Sequence, residues 1–143
     1  AARKAPAQQL AARMQRHGEE MMYLTATVLT LNYEATAEIA TMIAEEPRIG
    51  RPAAGEQGTL GALLPARFFD LQDELSLRAT ELASVAKGEQ HDEIVRAYGR
   101  LAQTCVSCHA LYLEPEGSRG GGSWDEAPEG EGLEGEAEPA PFD

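Results

Sequence analysis

With 143 residues and 43% hydrophobic side chains the chain is sized for one compact domain, and its length argues against two. The net charge of −12 comes without any basic stripe, which leaves nucleic-acid binding unsupported, and no apolar stretch approaches the roughly 20 residues that span a bilayer. Aromatics make up only 6%, while Ala, Leu, Glu, Gln and Arg dominate the chain before residue 114, so the expected fold is all-α.

The chain starts at Ala1 with a short Ala-, Lys- and Arg-containing stretch that has no apolar signal core, which is compatible with a mature product after signal removal. From about residue 7 to 31 the only Gly or Pro is Gly18, and Leu10, Met14, His17, Met21, Leu24, Val28 and Leu31 recur in steps of four and three. That heptad-like seam predicts a first long helix with one inward side. Residues 33–45 place Ala37, Ile39, Ala40, Met42 and Ile43 on a broad apolar face. Asn32 is expected to mark a bend or cap, and Pro47 to stop this second helix.

Residues 47–64 hold Pro47, Gly50, Pro52, Gly55, Gly58 and Gly61 and read as a connecting loop, long enough for a crossover of a bundle. Pro65 suits the first turn of a third helix, which continues through Phe68, Leu71, Leu75, Leu82 and Val85 to a stop at Gly88. A fourth helix from about Gln90 carries Ile94, Tyr98, Leu101, Cys105, Cys108 and Leu111 or Tyr112 at spacings of three and four.

After Leu113 the pattern gives way to Gly, Glu, Pro and Ala. Ten carboxylates against Arg119 put about −9 on residues 114–143 and leave about −3 for everything before them. The stretch has too few apolar side chains to offset its ordering entropy and is expected to be a disordered, solubilising tail. Trp124, Leu133 and Phe142 are its only candidate docking points. The expected organisation is a helical bundle over 1–113 and an acidic tail over 114–143.

Chemistry concentrates in Cys105-Val106-Ser107-Cys108-His109. On a helix the two thiols lie about one turn apart, so both sulfurs can reach the vinyl groups on one edge of a haem. The adjacent His109 can then place its imidazole under the iron as the proximal ligand. A thiol redox pair would normally sit at a strand-to-helix junction of an α/β pattern that is missing here, and a zinc site would need ligands that no second Cys pair supplies. Haem attachment is therefore the preferred reading, with the thiol pair and a chance occurrence as the alternatives.

Four helices with this motif in the last one, ending Cys105-Val-Ser-Cys108-His109-Ala-Leu-Tyr112 and preceded by Tyr98-Gly-Arg-Leu-Ala-Gln-Thr, resemble the class II c-type cytochromes, the cytochrome c-prime family. The likeness covers about residues 8–113 in architecture and 98–112 at motif level. It implies a left-handed, up-down-up-down four-helix bundle around one covalently bound haem c, a periplasmic location, and electron transfer or small-gas binding. It also suggests a homodimer through the first two helices, although Glu19, Thr25 and Thr27 on the face opposite the seam are polar. The family often carries Lys or Arg one residue after the Tyr, where this chain has Leu113.

The sixth iron position has several candidates on the first helix. The resemblance implies a distal residue four positions after an Arg, and Arg13 followed by His17 matches that spacing. Independently, His17 falls between Met14 and Met21 on the inward seam, and imidazole is a strong ligand for iron. A lone His on an apolar face is more often a satisfied core histidine, and methionines are more often core fillers. The distal ligand is therefore read as His17, or Met14 or Met21, or the position is open; Met22 lies off the seam.

His91, among Glu89, Asp92 and Glu93, reads as part of an exposed helix start. Arg13, Arg16 and Arg96 are candidate partners of haem propionates, or solvated ion-pair residues, and Tyr23, Tyr33 and Phe69 could pack either the core or the haem edge. The leading expectation is a periplasmic electron carrier serving redox partner proteins, at a lower potential with two imidazoles than with Met. The rival is a five-coordinate protein that binds or senses NO or CO. No acid–base pair flanks His17 to cleave an O–O bond, so an enzyme is not expected.

Overall fold

A computed structural model describes residues 4–112. They fall within the first of the two units into which the chain divides, Ala1–Leu113 and Glu114–Asp143. The acidic stretch 114–143 and its expected disorder lie outside the described residues. Among those that are described the fold is all-α, without strands: α1 (Lys4–Leu29), α2 (Tyr33–Glu45), α3 (Leu60–Leu63), α4 (Ala66–Lys87) and α5 (His91–Tyr112). No described helix is long and apolar enough to cross a membrane.

The break between α1 and α2 is built by Leu31 and Asn32. Leu31 takes a left-handed φ of 57°, and the Asn32 side chain caps α2 by accepting from the Ala35 amide at 3.2 Å. Leu31 consequently leaves the seam on which the spacing had placed it and is 53% exposed. The Met42 side chain also departs from its expected inward place, at 58% exposure, because the buried stripe of α2 is the narrower set Thr36, Ala37, Ala40 and Ile43.

Pro47 ends α2 as expected. It disfavours helical backbone at the residue before it, and Glu46 is extended at φ −57°, ψ 133°. The following loop is fastened to α4 by a reciprocal pair of amide bonds: the Ile49 N–H donates to Gln72 Oε1 and Gln72 Nε2 donates to the Ile49 carbonyl, both at 2.9 Å. Arg48 and Arg51 add ion pairs to Asp73 at 2.9 and 2.8 Å. Part of this loop is helical after all, since Thr59 Oγ1 accepts from the Ala62 amide at 3.2 Å and caps the single turn α3. Pro65 sits at the cap of α4, one residue earlier than the first helical position. At the far end Gly88 stays right-handed and Glu89 takes the positive φ, 55°.

The four long helices pack in a closed ring, α1 and α4 each against both α2 and α5. The core is Leu24 and Val28 from α1, Ala37, Ala40 and Ile43 from α2, Ala79, Leu82, Ala83 and Ala86 from α4, and Ile94, Ala97 and Leu101 from α5. Its many alanines let the backbones of α2, α4 and α5 approach closely, while Leu24, Leu82 and Leu101 fill the middle with no exposure. Each such leucine contributes roughly 1.5–3 kcal/mol by burial. Among the described residues three polar side chains are buried, and all are bonded: Thr36 to Thr27 Oγ1 and the Asn32 carbonyl, Ser76 to the Ala44 carbonyl, Thr104 to the Arg100 carbonyl.

Candidate functional site

This alanine-rich packing does not run the whole length of the bundle. Toward the start of α1 and the end of α5 the helices part around an apolar-lined cleft of about 340 Å³. The α1 wall is Arg13, Met14, His17, Gly18 and Met21, one stripe at four- and three-residue steps with its glycine removing a side chain from the lining. The α5 wall carries Thr104, Cys105, Cys108 and His109, and α4 closes the third side with Phe68, Leu71, Gln72 and Leu75. The volume lies within the roughly 300–1,000 Å³ typical of ligand clefts.

The seven leading candidates for haem attachment and ligation, Arg13, Met14, His17, Met21, Cys105, Cys108 and His109, border this one cleft. Both cysteines are free and half-buried, and His109 is exposed at the end of α5. Burial raises the pKa of both thiols, and for Cys105 the neighbouring Cys108 adds to the rise. Thiols of a redox pair are instead activated by a lowered pKa, so the environment does not favour that alternative. Nor do Cys105, Cys108 and His109 converge as a metal site would require. Among the described residues the one His, Cys, Asp and Glu group with ligand atoms all within 4.8 Å of one another is His17, Glu20 and Glu46.

Of that group only His17 lines the cleft, and Glu46 reaches His17 from the end of α2. The Nε2 of His17 is hydrogen-bonded to Glu46 Oε2, and Arg16 grips the other oxygen of the same carboxylate, through Nη2 at 2.6 Å and Nε at 3.0 Å. Arg13 stands 4.0 Å from Glu46 and donates to the Pro47 carbonyl. Burial would lift the Glu46 pKa, but hydrogen bonds from Arg16 and His17, with the charges of His17 and Arg13, outweigh it and hold the carboxyl below its ordinary range. Glu20 is the opposite case. Its Oε2 is buried without a partner, and burial pushes its pKa up.

The remaining candidates fall elsewhere. Met22 is 74% exposed, off the seam; His91 is exposed at the start of α5 beside Asp92; Arg96 pairs with Glu93. Tyr23 is exposed, Tyr33 packs against the core, and Phe69 is buried edge-on to Phe68 with Arg51 over its ring. Reasoning from the sequence missed Glu46, Gln72 and the part that Phe68, Leu71 and Leu75 take in lining the cleft. A helical stripe of apolar residues gives no sign of whether it will meet protein or a ligand.

The donor set fits a haem. Two thiols one helical turn apart and the histidine that follows them border an apolar cleft, and an imidazole and two thioethers face them from another helix. No family model matches the chain, and comparison with curated proteins and with solved structures finds no match either.

Proposed function

We propose that the chain is a monohaem c-type cytochrome of the cytochrome c-prime kind, an up-down-up-down, left-handed four-helix bundle that carries electrons between redox proteins in the periplasm. The observation that carries the reading is the convergence of Cys105, Cys108 and His109 with Met14, His17 and Met21 on one apolar cleft.

Cys105 and Cys108 would hold the haem through thioether bonds, His109 would bind the iron from the α5 side, and His17 would stand as the second axial ligand. The bound group supplies a one-electron iron couple. Phe68, Leu71 and Leu75 exclude water from its neighbourhood, which lowers the reorganisation that accompanies each electron transfer. Arg13, with donors to spare beyond its bond to Pro47, is placed to receive a propionate. Whether two copies pair through α1 and α2 belongs to the same proposal, since Met22, Tyr23 and Leu29 leave apolar surface on α1.

One observation favours a second reading. Because the Nε2 of His17 is engaged by Glu46, an open sixth position that takes CO or NO is the alternative. Absorption spectra of the oxidised and reduced haem-loaded protein, with and without CO, separate the two when run beside His17→Ala. A mainly low-spin spectrum that CO displaces only slowly, and that turns high-spin in the variant, is the expected result. A high-spin wild type that binds CO readily would overturn it in favour of gas binding, and a low-spin spectrum unchanged in the variant would move the ligand to Met14 or Met21.

A further inference from the structure

We infer that Glu46 is the residue that sets the choice between the chain's own ligand and an external one, by competing with the iron for the Nε2 of His17. This rests on the reading of the cleft as a haem site with His17 as the second axial ligand.

The imidazole has two nitrogens, and only Nε2 lies at the tip of the ring, clear of the Cβ that hinders Nδ1. A flat macrocycle is therefore met by Nε2. In the structure that atom is bonded to the Glu46 carboxylate. A ring nitrogen sharing its proton with a carboxylate has no lone pair for a metal, so the bond to Glu46 and the bond to iron exclude each other. His17 accordingly has two states, one on the iron and one on the α2 end, and any change at Glu46 moves the balance between them.

Glu46 is built to stay where it is. Its side chain is only 9% exposed, Arg16 grips its Oε1, Arg13 lies alongside, and Pro47 fixes the backbone at its C-terminal side. When His17 leaves, the carboxylate keeps Arg16 as a partner and is not orphaned. Its departure thus breaks one hydrogen bond without stranding a buried charge, and a neutral diatomic gas is the class of external ligand that profits from the fraction of time His17 spends on Glu46. A hydrogen bond to a charged group is strong enough to weigh that fraction by about tenfold or more.

The test is the rate of CO binding to the reduced, haem-loaded full chain, read with its spin state, in the wild type, Glu46→Gln, Glu46→Ala, His17→Ala and the double variant His17→Ala/Glu46→Gln. With the competitor weakened or removed, His17 stays longer on the iron, so CO binding slows by about tenfold and the high-spin fraction falls, more in Ala than in Gln. The double variant matches His17→Ala, since Glu46 acts only through His17. CO rates unchanged in both Glu46 variants, or faster than wild type, overturn the inference while leaving His17 as ligand. A His17→Ala protein identical to wild type in spectrum and CO rate overturns the underlying reading of His17 and the inference with it.

Discussion

The Tyr98 hydroxyl lies 2.6 Å from Thr25 Oγ1, and Thr25 in turn donates to the Met21 carbonyl at 2.7 Å. Since the Thr25 proton is committed to Met21, the phenol is the donor, and a directed chain runs from α5 across to α1 beside the cleft. The α1–α5 contact is the sparsest of the four in the ring, which makes this tie important. Tyr98→Phe is expected to cost about 1 kcal/mol in urea denaturation. A variant as stable as the wild type would show that the bond contributes nothing.

Leu82 and Leu101 are fully buried where the alanine-rich faces of α2, α4 and α5 meet. Truncation of either to Ala leaves a hole that close-packed helices cannot fill by collapse, with an expected loss of roughly 2–5 kcal/mol. Leu77, on the same helix as Leu82 but 55% exposed, should tolerate Ala within about 0.5 kcal/mol. Equal losses at Leu77 and Leu82 would contradict the placement of the core.

Gly61 and Gly99 should respond to Ala in opposite directions. A Cβ at Gly61 would collide with the Gly50 carbonyl oxygen, a backbone atom of the loop fastened to α4, so the loop must shift. The expected cost is about 1–3 kcal/mol. At Gly99, inside α5, nothing lies within 4 Å, and Ala should stabilise by about 0.5–1 kcal/mol through its better helix propensity. Thermal melts of the two variants decide the matter, and a Gly61→Ala protein that melts with the wild type would count against this loop arrangement.

Glu46 gives the protein an acid-sensitive joint between α1 and α2. Its carboxyl sits below the ordinary value of 4.5 in the fold, so its ionised form stabilises the native state. That contribution is fully present above pH 4.5 and is lost as the pH falls through the depressed native value. Acid unfolding of Glu46→Gln should therefore lack this component: the variant is less stable than wild type at neutral pH, and the two curves converge at the acid end. Parallel curves over the whole range would refute the role.

The two helical walls that carry the chemistry were legible because both are local. The four–three spacing from Met14 to Met21 and the Cys105-to-His109 run each need only one helix to bring their residues to one side. The α4 wall is legible only as a helix, since Phe68, Leu71 and Leu75 form the same stripe whether they meet protein or a ligand. Glu46 could not be foreseen at all: it stands 29 residues from His17, and the contact depends on the turn that Pro47 imposes at the end of α2. Leu31 and Met42 were misplaced for a related reason. Periodicity says where a face points, but not how wide the buried strip is or where a left-handed residue breaks it. The single turn α3 escaped notice because glycines surround it, although Thr59 was its available cap signal.

Covalent attachment is the claim on which the rest depends. The most direct measurement is the denatured mass of the full chain made alongside a haem-attachment system, compared with Cys105→Ser, Cys108→Ser and the double variant. One haem retained through denaturation in the wild type, and none in the double variant, is the expected outcome. A wild type whose mass is that of the bare polypeptide, with both thiols free, would contradict it.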